Sequence, residues 1–423
     1  MRAYEEYKQI GLPWLDRIPA HWKVQRAKNM FKKMNRPASE SDEVITCFRD
    51  GEVTLRSNRR TTGFTESLKE IGYQGIHKGD LVIHVMDAFA GAVGVSDSDG
   101  KGTPVYSVCT PKGDYNNYYY ANIIRIMAKT GYIQSLYRGI RERSSDFRFE
   151  VFADQYLPIP PREEQDAIVR FLDAKCAKID SLIKLKERQI ALLNEKKQSI
   201  INQAVTKGLD PNAPMKDSGV DYIGMIPSHW QVILNHRLWE EKTRGYSTTE
   251  TVLSLSQQDG VVPYEDMTER SLHTSSYDNW KLVFPGDLVV NRFKAHLGVF
   301  FSSAYRGIVT FHYGVFQFKM NGSTKYYEYL YHTPKFCQVY ASLSNGMTVG
   351  LQNLSNSHFY GAYSVYPPVH EQKEIVDKIE TINVIYRNKI KIIENEILIL
   401  HEYKMKLISD VVTGKINILY TEY

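Results

Sequence analysis

Apolar residues at Ile168, Leu172, Ile179, Ile183, Ile190, Leu193, Ile200 and Ala204 step by 3, 4 or 7 through an otherwise charged stretch. No Gly or Pro interrupts the chain from Arg162 to Lys207. This spacing predicts one long helix with a coiled-coil type of seam. The pattern returns at Ile375, Ile379, Ile390, Ile393, Ile397, Leu400, Leu407 and Val411, in a second Gly/Pro-free stretch that lasts to Thr413. The two seams share one phase at an offset of 207 residues. Each stretch opens on a Pro pair and a Glu-Gln: Ile159-Pro160-Pro161-Arg162-Glu163-Glu164-Gln165, then Tyr366-Pro367-Pro368-Val369-His370-Glu371-Gln372. Prolines suit a helix start, and Glu163 and Glu164 suit the positive end of its dipole. About 44 residues at about 1.5 Å each make a rod of roughly 66 Å. A helix with one apolar stripe is marginal alone in water, so each needs a partner, and the obvious partner is the other copy. Lys186, Lys197 and Lys404 leave the seam imperfect.

Outside the two helices the period changes. Val44–Phe48, Leu81–Met86 and Val105–Cys109 are short, β-rich runs bounded by Gly, Asp and Pro. Tyr118–Met127 and Tyr132–Tyr137 read as helical. This mixed region also occurs twice. Ile18-Pro19-Ala20-His21-Trp22-Lys23-Val24 matches Ile226-Pro227-Ser228-His229-Trp230-Gln231-Val232, and Gly79-Asp80-Leu81-Val82 matches Gly286-Asp287-Leu288-Val289. The adjacent His and Trp are expected to be structural, the Trp anchoring a domain entrance. A period of half the chain means a tandem duplication rather than a solenoid. The expected fold is mixed α/β (α+β). A domain over 1–157 is followed by a long helix over 158–207, a linker over 208–216, a second domain over 217–364, and a second helix with its tail over 365–423.

Composition narrows the classes. The chain has 423 residues, 43% hydrophobic, with a net charge of +5 and four cysteines. That charge is compatible with nucleic acid without being evidence for it. Cys47, Cys109, Cys176 and Cys337 stand far apart, which suggests no zinc ribbon or redox pair and suits a reducing cytoplasm. No apolar run is long enough for a membrane span. Phe89-Ala90-Gly91-Ala92-Val93-Gly94 has the wrong glycine spacing for a methyltransferase loop, and no P-loop is present. Glu195-Lys196-Lys197 has a nuclease-like spacing but lies inside the helix and reads as a solvated face. No catalytic set stands out, and no metal site is expected.

The frame repeats, but the material between frame residues does not. Arg56-Ser57-Asn58-Arg59-Arg60 has no basic counterpart near 263–267, and Arg138-Gly139-Ile140-Arg141-Glu142-Arg143 faces Asn345-Gly346-Met347-Thr348-Val349-Gly350. One frame with two sets of loops suggests two related readers with different targets. A scaffold joining two protein-binding domains is the alternative, and an enzyme without a recognisable motif is a third possibility.

The Ile-Pro-x-His-Trp heading each half, the two Gly-Asp-Leu-Val segments and the two Pro-Pro-x-x-Glu-Gln-x-x-Ile-Val helix starts resemble the specificity subunit of type I restriction-modification systems. The resemblance spans essentially the whole chain. It implies two target-recognition domains, each reading one half of an asymmetric, bipartite site on double-stranded DNA. It implies an antiparallel helical spacer that fixes the gap. An insertion between Lys207 and Asp217 would then change that gap. Two modification (methyltransferase) subunits are expected as partners, with S-adenosylmethionine as their cofactor for adenine N6 methylation. Restriction subunits would add ATP- and magnesium-dependent translocation and cleavage. The chain itself would carry no cofactor and no catalysis. It shows no extra partial repeat after Lys415, so the circular organisation of some members is not evident. Base and phosphate contacts call for Arg, Lys, Asn and Gln. The candidates are Arg56, Asn58, Arg59, Arg60, Arg138, Arg141, Arg143 and Arg148 in the first half. In the second half they are Arg244, Asn291, Arg292, Lys294, His296, Asn345, Gln352 and Asn353.

Overall fold

The computed structural model describes residues 2–59, 71–136, 146–247, 249–267, 278–344 and 353–419. Both long helices are present, at Arg162–Lys207 and Val369–Val412. The chain forms two compact units, Met1–Lys186 with Asn395–Tyr423, and Glu187–Glu394. The division runs through the helices, because each domain packs on the start of one helix and the end of the other.

In the first unit, Phe171, Leu172, Ile179 and Ile183 share one core with Leu407, Val411 and Val412. Asp180 accepts from Lys404 at 2.7 Å and Glu396 accepts from Lys186 at 2.6 Å, so the numbering runs in opposite directions and the helices are antiparallel. Two polar interruptions of the seam are therefore cross-helix ion pairs. In the second unit Ile201, Ala204 and Val205 pack with Ile375 and Ile379. The sequence pattern missed Ile201, Ile382 and Tyr386, which are buried beside the expected seam positions.

The domain of each unit is built on a four-stranded antiparallel sheet. Its order is Phe31–Lys33, Tyr106–Pro111, Leu81–His84 and Val93–Val95 in the first unit. The second has Trp239–Glu241, Tyr313–Phe318, Leu288–Asn291 and Phe300–Ser302 in the same order. Even the register repeats: Val82 faces Val108 and Val289 faces Val315. The central strands read as near-continuous apolar runs because they are buried, Leu81, Val82 and Ile83 completely. The helix Asn117–Lys129 covers the first sheet, with Asn116 as its cap. Its counterpart is split into Thr324–Tyr331 and Pro334–Leu343. Pro334 stands where the first unit has Met127. A proline has no N–H to donate and clashes with the preceding turn, so the helix must restart there.

The two ends of the chain meet in the first unit. Asn417 donates its backbone N–H to the Arg2 carbonyl at 2.8 Å, and Ile418 is buried. At the repeat offsets, Arg2 and Asn417 both fall on Asp210, in the segment that runs unbroken through the second unit. The chain ends thus complete the first unit where continuous chain completes the second.

His332 sets an acid limit on the second unit. Its ring lies 4.6 Å from that of Phe301, and its Nε2 is buried without a partner. Burial, with a smaller contribution from Lys325, lowers its pKa from 6.5 to about 4. Between those values the unfolded chain binds a proton that the folded chain refuses, so acid favours unfolding. Denaturation at pH 7 and pH 5 should show roughly 2 kcal/mol of stability lost from this group. His332→Gln should remove that part of the slope; an unchanged slope would assign the acid sensitivity elsewhere.

Candidate functional site

The repeated motifs meet at the joint between each domain and its helix. Trp22 is fully buried and donates its indole N–H to Glu164 Oε1 at 3.1 Å. His21 Nε2 lies 2.9 Å from Glu164 Oε2, and the buried Tyr4 hydroxyl also donates to this carboxylate. Burial and the adjacent Glu164 push the Tyr4 pKa up, so it stays a donor. Gln165 next to it accepts from Asn116 N at 2.9 Å and donates to Pro160 O at 2.9 Å. The second joint repeats this: Trp230 donates to Glu371 at 2.6 Å, and Gln372 accepts from Ser323 N at 3.0 Å. Each domain also caps the end of the other helix. Tyr119 donates to Val412 O at 2.9 Å, and Tyr326 to Val205 O at 2.7 Å. The helix-ending glycines, Gly414 and Gly208, lie against Trp22 and Trp230.

These joints are structural, and they can be ranked. Glu164→Ala should cost roughly 3 kcal/mol in chemical denaturation, because it leaves buried Trp and Tyr donors unpaired. Glu371 is more exposed and has no Tyr4 equivalent, Asn212 standing there, so Glu371→Ala should cost about half as much. Equal costs would mean that burial of these donors is not the cause.

The Gly-Asp-Leu-Val motif holds a second repeated contact. Arg36 grips Asp80 with both guanidinium nitrogens, and Arg244 grips Asp287 the same way, the longer bond being 3.2 Å in each. Each Asp also accepts from a backbone N–H, of His77 or Phe284, at 2.8 Å. Arg244, expected from the sequence to contact DNA, is bound to a buried carboxylate in a contact that both frames share.

The other candidates fall into three groups. Arg60, Arg138, Arg141, Arg143, Asn345 and Gln352 lie outside the described residues. In the first unit, Arg56, Asn58 and Arg59 occupy one helical turn, Arg56–Arg59. Arg59 is exposed, bridges Asp50 and Glu52, and lies 4.2 Å over the Phe48 ring. Asn58 donates to Thr54 Oγ1 at 2.9 Å. Arg148 is exposed and paired with Asp146 at 2.6 Å.

In the second unit the fold brings several candidates together at the end of a central strand. Asn291 is buried and caps the turns Arg292–Leu297, accepting from Phe293 N at 3.1 Å. Lys294 is exposed and His296 half-buried on those turns. Leu354 N donates to Arg292 O at 3.1 Å, which brings the exposed Asn353 beside them. Beneath lies a cluster that sequence reasoning did not find. Glu241 accepts from Arg292 at 2.5 Å, Lys281 at 2.8 Å and Asn356. Burial pushes the Glu241 pKa up, but the Lys281 hydrogen bond and the Arg292 charge more than offset it and hold the carboxyl below its usual range. The cluster fixes Arg292 on a half-buried anion, a preorganised cation at the variable end of the sheet. Its first-unit counterparts are Lys33 and Val85, so the frame is shared and this polar pocket is not. The strand Trp239-Glu240-Glu241 holds two glutamates, and nothing in the sequence marks Glu241 as the one that gathers these partners.

No family model matches the chain, and no curated protein matches it. Solved structures do. A chain determined in work on complex assembly and conformational transition of the type I R-M system aligns at a TM-score of 0.67 and 12% identity, covering 94% of this chain and 99% of that one. The HsdS subunit from Thermoanaerobacter tengcongensis aligns at a TM-score of 0.53 and 12% identity, covering 94% of this chain and 98% of that subunit. The fold is shared with these chains over nearly their whole length.

Proposed function

We propose that this chain is the DNA-reading specificity subunit of a type I restriction-modification complex. One observation carries the reading. Two frames repeat strand by strand, each clamped to the start of one long helix and the end of the other, while their loop ends carry unlike charged groups. Two readers on one spacer account for this arrangement. A scaffold would have no need for a preorganised Arg292 in one domain and an arginine turn at Arg56–Arg59 in the other. The first domain reads one half-site and the second domain the other, with Arg59, Arg148, Arg292, Lys294 and Asn353 as described candidates for DNA contact.

Partner docking is supported by the helices. Leu185, Leu398, Ile399 and Tyr403 in the first unit, and Leu192, Val384, Ile385 and Ile392 in the second, are exposed apolar residues off the paired seam. Apolar surface of this kind on a helix pair suits further helices, and methyltransferase subunits are the occupants this reading requires. Catalysis and cofactor binding then belong to those subunits, with S-adenosylmethionine in the modification subunits and ATP and magnesium in the restriction subunits.

Duplex binding across a salt series tests the reading. A reader that neutralises several phosphates loses affinity by orders of magnitude between about 50 mM and 200 mM salt. Genomic methylation mapped in cells carrying the chain with its modification subunits should show a split site. Salt-independent binding together with unsplit or absent methylation would favour the scaffold.

A further inference from the structure

The first unit contains a cavity of about 350 Å³ between its domain and the last turns of the second long helix. Arg125 faces it from the helix Asn117–Lys129, with Lys129 one turn further on and Arg49 opposite. The rest is mainly apolar, including Phe89, Met405 and Ile408. No acid lines it among the described residues. Arg49 is paired with Asp87 at 2.9 Å, whereas the Arg125 side chain makes no hydrogen bond or ion pair among the described residues. The carboxylate whose charge acts on Arg125 is Asp50, which is itself held by Arg59. Gly51 makes room for the guanidinium, since a Cβ there would lie 2.6 Å from it.

A partly buried guanidinium normally has a partner, because removing a charge from water is costly. Burial lowers the Arg125 pKa, as expected for a cation that has lost water without gaining an anion. The same slot in the second unit has no such need. His332 stands at the equivalent position, closed in by Phe301 and by Gly298 against Cys337. The unpaired charge is therefore a property of the first unit rather than of the frame.

We propose that this cavity binds a small organic carboxylate, with Arg125 on the carboxylate and the apolar body seated against Phe89, Met405 and Ile408. Planar guanidinium and carboxylate match as a two-bond fork, and the charge-assisted bonds are the stronger for a dry surround. A phosphate with a full hydration shell fits the apolar seat poorly. The site is independent of the DNA-reading proposal.

Calorimetric titration of the full chain with 3-phenylpropionate, its neutral amide and inorganic phosphate tests the site. The carboxylate should bind saturably, and the amide at least about tenfold more weakly. Arg125→Met should lower carboxylate affinity by about tenfold or more. Circular dichroism reports whether that variant folds. If it does not, Lys129→Glu on the exposed rim decides, with an expected loss of about threefold or more. No saturable binding, equal binding of the amide, phosphate binding as tightly as the carboxylate, or full affinity in the folded Arg125→Met or in Lys129→Glu would each overturn the proposal.

Discussion

Three heptads inserted into each long helix at facing positions, after Gln189 and after Ile393, should lengthen the gap in the methylated site by nine or ten base pairs and leave its half-sites unchanged. Lys186 pairs with Glu396 and Asp180 with Lys404, so these insertion points stand nearly opposite each other. Whole heptads keep the seam close to phase. Three of them add roughly 31 Å of helix, and one turn of DNA spans about 34–36 Å. Length and rotation are then both nearly restored. A single heptad in each helix adds only about 10 Å, close to three base pairs, over which DNA turns by roughly 100°. That variant should lose most of its activity at every gap. Sequencing of genomic methylation reads both outcomes. An unchanged gap in the three-heptad variant, or new half-site bases, would show that the helices are not the ruler. The linker is the wrong place for such an insertion, contrary to the sequence-based expectation. Gly208 packs on Trp230, Ser228 N donates to Pro214 O at 2.7 Å, and Met215–Asp217 pairs with Met225–Pro227. Extra residues there would bulge from a packed loop without moving either helix.

The fragment 1–209 should pair with itself and, with modification subunits, direct methylation to a palindrome of the first half-site. What the first unit loses in this fragment is the end of the second helix, which the first helix reproduces at the repeat offset, and the tail contacts of Asn417 and Ile418, which it does not. Val205 can offer its carbonyl to Tyr119 as Val412 does, and Gly208 can cover Trp22 as Gly414 does. Lys197 stands where Lys404 meets Asp180, so one cross-helix ion pair survives. Gln189 stands in place of Glu396, so the pair with Lys186 is lost, though an exposed pair is worth only about 0.2–1 kcal/mol. The larger cost is entropic, because an intramolecular pairing becomes bimolecular. Sedimentation should show a monomer–dimer equilibrium in the micromolar range. Monomer throughout would mean that the native second helix is required. Methylation that kept the asymmetric site would mean that the two domains do not read independently.

The duplication, the two helices, their seam and the class of the domains were legible in the sequence, because they rest on local rules. An apolar residue every three or four positions makes a helix stripe wherever it occurs. Short β-branched runs between Gly and Asp make strands in the same way. Repetition then doubled each weak signal, as in the two Gly-Asp-Leu-Val strands. Composition could also suggest that charged loops differ between the halves.

What each charge does was decided only by tertiary structure. Arg244 and Arg59 look alike in a string of letters. One is bound to a buried aspartate shared by both frames, and the other is exposed on a turn whose second-domain counterpart, Tyr264–Asp266, is acidic. Glu241, Lys281, Arg292 and Asn356 are scattered over more than a hundred residues, and only the strand register and the return of the chain at Leu354 gather them. Arg125 was not singled out at all, because what distinguishes it is the lack of a partner. Local spacing acts over one or two turns of chain, so a sequence displays it. The pairing of charges depends on which distant segments come within about 4 Å, where Coulomb and hydrogen-bond energies become large, and folding alone decides that.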